Sequence, residues 1–151
     1  MFVGTHERQL DDKGRLALPA TFRPDLQGSC YLAFGEDRCL TIFAAGEFEA
    51  LATDMMTQVR DGQVSQNRLR AVAGSAALVA IDKQGRITVD EHLRQYAQLQ
   101  PSSKVIVRGR FDRGEIWCED FFHQVATVGE DEMAGITAGI TTVPSATGSP
   151  A

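Results

Sequence analysis

Cysteine is scarce in this 151-residue chain. The three thiols, Cys30, Cys39 and Cys118, are odd in number and widely spaced, and no Cys-x-x-Cys pair occurs. That excludes a disulfide framework and a zinc-cysteine cluster, and leaves the thiols to pack as small hydrophobes. No apolar run approaches the roughly 18 residues that cross a bilayer. The opening Met1-Phe2-Val3-Gly4-Thr5-His6 lacks the basic stretch and apolar core of a secretory leader, so a cytoplasmic location is expected. The phosphate-binding Gly loop with Lys-Ser/Thr, Gly-x-Ser-x-Gly and His-Glu-x-x-His are all missing. His6, His92 and His123 are too scattered for a metal or catalytic constellation. The expectation is a protein that is not an enzyme, with no cofactor, no metal and no small-molecule substrate.

Lysine and arginine are missing altogether from residues 119–151, while Glu119, Asp120, Glu130, Asp131 and Glu132 lie there. The net charge of −5 therefore sits in the tail, and 15 carboxylates balance 15 Lys and Arg in the first 118 residues. A neutral body binds nucleic acid if its cations gather on one face, so bulk charge does not exclude DNA. The apolar fraction of 43% and charged fraction of 23% suit a globular fold.

What the chain does contain is a repeat. Leu10-Asp11-Asp12-Lys13-Gly14-Arg15-Leu16-Ala17-Leu18 aligns with Ile81-Asp82-Lys83-Gln84-Gly85-Arg86-Ile87-Thr88-Val89. Phe22-Arg23 then matches Leu93-Arg94 at the same offset, 71 residues. After a three-residue insertion near 98–103, Thr41-Ile42-Phe43 aligns with Glu115-Ile116-Trp117, and Phe48 with Phe122. A unit of about 50 residues is too small to bury a full core alone, so the halves should pack as a pseudo-dimer.

Each copy reads as a strand, a turn bearing Asp and Gly, and a second strand. Short helices are expected near Pro19 to Arg23 and Asp90 to Gln98, with Pro19 at a first helical position and Asp90 as a cap. Further strands are expected at Cys30 to Phe34, Leu40 to Phe43, Val105 to Val107 and Glu115 to Cys118. Phe48, Leu51, Met55 and Val59 recur at helical spacing, and Ser65 suits the cap of a second helix through Leu69 and Val72. Phe121 or Phe122 with Val125 and Ala126 predicts a shorter helix. Beyond Gly129 the composition reads as a disordered tail. The fold class is mainly β with helices, α+β.

The Asp-x-x-Gly-Arg loops carry the chemistry. Asp11 and Asp82 can hold the guanidinium four residues on, and Gly14 and Gly85 supply the positive φ of a tight turn. Those four residues structure the loops. Arg15 and Arg86 then present a planar fork suited to phosphate or to the O6/N7 edge of guanine. Lys13 and Lys83 are point charges for phosphate beside the same loops. Arg8 and His6, on the preceding strand, are weaker candidates. The plain alternative is that Asp, Gly and Arg only close the hairpin.

With Phe2-x-Gly4, Pro19-x-x-Phe22-Arg23, Gly109 and Glu115-Ile116-Trp117 added in order, the chain resembles the MraZ family over residues 1 to about 128. That family is similar to the SpoVT/AbrB group. The resemblance implies tandem SpoVT/AbrB-like modules at 1–53 and 73–128, joined by helices at 54–72, forming an intrachain pseudo-dimeric swapped-hairpin barrel, with a tail at 129–151. It implies a homo-oligomeric ring that associates with the nucleoid. The ring binds double-stranded DNA at direct repeats in the promoter of its own division and cell wall gene cluster, with repression as the default. Asp90 departs from the Pro that the family often has there. The rival reading is a ring-forming interaction module that binds a protein partner.

Overall fold

The computed structural model describes residues 1–136. Residues Met1–Glu119 form one compact unit, and a second begins at Asp120. Within the first unit the chain runs β1 (Thr5–Gln9), β2 (Arg15–Ala17), α1 (Arg23–Leu26), β3 (Ser29–Phe34), β4 (Leu40–Phe43), α2 (Ala45–Arg60) and α3 (Gln66–Ser75). It continues through β5 (Ala77–Ala80), β6 (Arg86–Thr88), α4 (Glu91–Ala97), β7 (Lys104–Gly109) and β8 (Gly114–Cys118). The fold is α+β, with a six-stranded antiparallel sheet in the order β1-β7-β8-β4-β3-β5 and a two-stranded ribbon of β2 and β6.

The strand order exchanges the repeats. β1 of the first copy pairs with β7 of the second, and β5 of the second pairs with β3 of the first. β4 and β8 join the halves, with Leu40 opposite Ile116. Strand β4 is buried at every residue, as its central place in the sheet demands, and its one hydroxyl, Thr41 Oγ1, donates to the Ala33 carbonyl at 3.2 Å. The described strands do not form the closed barrel that was expected. The six-stranded sheet ends at β1 and β5, and β2 and β6 pair only with each other.

One core serves both copies. Leu16 and Ile87, Leu18 and Val89, and Phe22 and Leu93 are buried as matched pairs at the repeat offset. Trp117 is buried too. Every one of these positions is apolar in both copies, so removing either half would expose the other's face to water.

The helices show where local chemistry prevailed. Asp90 accepts from the Leu93 N–H at 3.0 Å and caps α4; Ser65 accepts from the Arg68 N–H at 3.0 Å and caps α3. Helix α1 does not begin at Pro19. Pro19 to Phe22 is a turn, with Phe22 N–H bonded to the Pro19 carbonyl, and the helix starts at Arg23 with Pro24 in its first turn. A proline at that position fits the first helical φ and needs no donor there. Helices α2 and α3 form the two helices expected over Phe48 to Val72 and run from Ala45 to Arg60 and from Gln66 to Ser75. Their apolar stripe is only half-buried, with Phe48 stacked on Tyr31 at 4.6 Å.

Helix α5 (Glu119–Ala134) passes straight through Gly129, where the tail was expected to begin. A glycine inside a helix costs about 1 kcal/mol relative to alanine, and good helix formers follow it here. The rest of the expected tail, 137–151, lies outside the described residues. Among the described residues no helix is long and apolar enough to cross a membrane.

Candidate nucleic-acid interface

The two Asp-x-x-Gly-Arg loops make the same set of hydrogen bonds. In the first, Asp11 Oδ1 accepts from the N–H groups of Lys13 at 2.9 Å and Arg15 at 2.8 Å, while Oδ2 accepts from Arg15 Nε at 2.7 Å. In the second, Asp82 Oδ1 accepts from Gln84 N–H and Arg86 N–H, both at 2.9 Å, and Oδ2 accepts from Arg86 Nε at 2.9 Å. The main chain closes each turn, Asp11 N–H to the Arg15 carbonyl and Gly14 N–H to the Asp11 carbonyl, with the same pair at Asp82, Gly85 and Arg86. Gly14 and Gly85 take φ of +78° and +80°, a conformation that side chains disfavour.

Each aspartate is thus committed as a carboxylate. The Arg15 backbone N–H, then its guanidinium and the Lys13 N–H, hold the Asp11 carboxyl down at about 2 against a smaller opposing effect of desolvation. Asp82 is lowered for the same reasons, led by the Arg86 N–H. Each arginine spends only Nε on its aspartate. Its two terminal nitrogens have no hydrogen-bond partner among the described residues.

The ribbon brings the arginines together. Arg15 lies opposite Thr88 and Ala17 opposite Arg86, so all four side chains share one face, while Leu16 and Ile87 face each other on the buried side. Arg15 and Arg86 are diagonal neighbours, a Cα spacing of about 7–8 Å. The residues between them, Ala17 and Thr88, are small and exposed. Each guanidinium, oriented by its own carboxylate, offers terminal nitrogens on this shared face that a polyanion can satisfy.

Lys13 and Lys83 are exposed in the same loops, but not at equivalent places. At the repeat offset Asp12 corresponds to Lys83, and Lys13 to Gln84. Arg8 is elsewhere. It lies on β1 in the larger sheet, on the face it shares with His6, and its Nη1 donates to the Glu7 carbonyl at 2.8 Å. His6 packs edge-on against Phe22 at 5.6 Å.

The family model described as MraZ protein matches residues 1–63 and 72–136, spans that each hold one loop. The chain belongs to the MraZ family. It is 39% identical over 140 residues to the transcriptional regulator MraZ of Salinispora tropica, covering 93% of this chain and 97% of that one. The transcriptional regulator MraZ of Clavibacter michiganensis subsp. michiganensis is 39% identical over 134 residues, 89% and 92% of the two chains. That of Frankia alni is 41% identical over 117 residues, 78% and 80%. As expected from the motifs, the resemblance to MraZ proteins extends over both repeats.

Sequence reasoning passed over two residues beside the MraZ loops. Arg94 lies against Gly14, and Arg23 against Gly85, each from the other copy. The repeat alignment already pairs these arginines, but a linear pattern shows no partner across the ribbon.

Proposed function

We propose that this chain is a sequence-specific DNA-binding regulator of transcription that grips duplex DNA with the β2–β6 ribbon. The observation that carries the reading is the diagonal pair Arg15 and Arg86, braced by Asp11 and Asp82 on the ribbon's outer face. A two-stranded ribbon fits the major groove, which is about 12 Å wide, and a braced arginine can meet O6 and N7 of guanine with both terminal nitrogens. Lys13 and Lys83 sit at the ribbon's two ends and neutralise flanking phosphates. Arg8 contributes at longer range from β1.

The reading extends to architecture. The pairing of β1 with β7 and of β5 with β3 supports reading residues 1–53 and 73–128 as paired SpoVT/AbrB-like modules with swapped hairpins. One ribbon offers few contacts, so affinity comes from several chains in a homo-oligomeric ring engaging neighbouring sites, which multiplies effective concentration. The mismatch of Asp12 with Lys83 gives each ribbon a direction along DNA, which suits direct repeats better than palindromes. The site of action is the promoter of the chain's own division and cell wall gene cluster, within the nucleoid of the cytoplasm, and the effect is repression.

Fluorescence anisotropy tests this with a labelled duplex from upstream of the chain's own gene. Wild type should bind tightly, with an affinity that falls steeply with salt. The folded, still oligomeric Arg15→Ala/Arg86→Ala variant should lose that binding. Equal binding by both proteins, or binding by neither, rejects the proposal and favours a ring that binds a protein partner.

A further inference from the structure

The hydrogen bonds around each loop cross to the other repeat. Leu18 N–H donates to the Gly85 carbonyl at 2.9 Å, and Val89 N–H donates to the Gly14 carbonyl at 2.9 Å. Two side chains cross in the same way. Arg94 of α4 lies so close to Gly14 that a Cβ there would stand 3.1 Å from Arg94 Cζ and 3.0 Å from the Val89 carbonyl oxygen. Arg94 Nη1 donates to that same Val89 carbonyl. Arg23 of α1 lies against Gly85, where a Cβ would stand 2.7 Å from Arg23 Cζ and 3.0 Å from Nε. Arg23 Nε is buried and unpartnered among the described residues, so its guanidinium is held there by packing.

These contacts form a chain. Arg94 fixes the Val89 carbonyl, Val89 N–H fixes the Gly14 carbonyl, and Gly14 precedes Arg15. A flat guanidinium can lie flush against main chain only where no side chain intervenes, which gives each loop glycine a second purpose beyond its φ. We propose that Arg94 and Arg23 are positioning residues for DNA recognition, each seating the loop of the opposite repeat: Arg94 seats Gly14 and so aims Arg15, and Arg23 seats Gly85 and so aims Arg86. This rests on the DNA-binding reading above. Its consequence is that neither repeat can present its own arginine without the other.

A double-mutant cycle in the full-length protein separates seating from general destabilisation. Binding is measured on the duplex from upstream of the chain's own gene, at low salt so that single-loop variants still bind. Arg94→Gln should weaken binding about tenfold in the wild-type and Arg86→Ala backgrounds, but less than about twofold in Arg15→Ala, whose loop is already disabled. Arg23→Gln should show the mirror image, silent in Arg86→Ala and fully effective in Arg15→Ala. The same factor in both backgrounds overturns the proposal. Amide hydrogen exchange on the free protein gives a readout independent of DNA. Arg94→Gln should speed exchange in residues 11–15 and spare 82–86, with the reverse for Arg23→Gln; equal or unchanged exchange in the two loops overturns the seating. A wild-type protein that ignores the duplex sinks the functional reading, and the exchange pattern then stands or falls by itself.

Discussion

Replacing Gly14 with alanine tests the loop's construction. Two costs are expected. Holding a non-glycine residue at a φ of +78° disfavours the native turn by about 1–2 kcal/mol. The new Cβ must also push aside the Arg94 guanidinium and crowd the Val89 carbonyl 3.0 Å away, an overpacking worth about 1–3 kcal/mol. The sum, about 2–5 kcal/mol, should lower Tm by about 6–17 °C for a unit of this size. Gly28 is the internal control. Its φ of +89° carries the conformational cost, but nothing lies within 4 Å of its added Cβ. Gly28→Ala should therefore lose only about 1–2 kcal/mol, roughly 3–7 °C. The assay is thermal denaturation followed by circular dichroism at one protein concentration, since oligomers melt in a concentration-dependent way. Adding Arg94→Gln to Gly14→Ala should cost less than the separate losses predict, because the clash is already relieved. Equal losses at Gly14 and Gly28, with strict additivity at Arg94, would refute a guanidinium seated on Gly14.

Acid should loosen the loops in a defined window. The Asp11 carboxyl sits at about 2 in the folded chain against an ordinary value of 3.8, so its contribution is present above 3.8, complete by about pH 5, and is lost as pH falls through about 2. Asp82 shifts in the same direction. Carboxyl NMR titration of the folded protein should place both midpoints below 3.8, and a midpoint at or above that value contradicts the hydrogen bonding described. The charges at the ribbon's ends are also separable. Lys83→Gln should reduce the slope of log affinity against log salt by about one, while Asp12→Asn should strengthen binding, most at low salt. Slopes and affinities identical to wild type would remove both side chains from the interface.

Much of this was legible in the sequence because the repeat is regular. Offset alignment pairs Asp11 with Asp82, Gly14 with Gly85 and Arg15 with Arg86, and the folded loops repeat the same hydrogen bonds. Asp90 and Ser65 were readable as caps, since a short acceptor before a helical run has a local partner. What escaped was not local. Period-two alternation marks a strand but not the strand beside it, so the pairing of β1 with β7 and of β5 with β3 had no signal in composition. The start of α1 was misplaced because two prolines, Pro19 and Pro24, compete for one helical position. Gly129 suggested an end to α5 that the following Glu130-Asp131-Glu132-Met133-Ala134 overrides. The roles of Arg23 and Arg94 depend on main chain from the opposite copy, which only the folded ribbon brings within reach.

In the proposed function Arg15 and Arg86 read DNA from the ribbon's outer face. Guanine N7 methylation protection on the upstream duplex tests it most directly, because N7 lies in the major groove. Wild type should protect guanines in each repeat, Arg15→Ala should expose one subset, and Arg86→Ala should expose a different, neighbouring one. Protection that is the same in wild type and both variants, or that never reaches N7, rules out base reading by these two arginines.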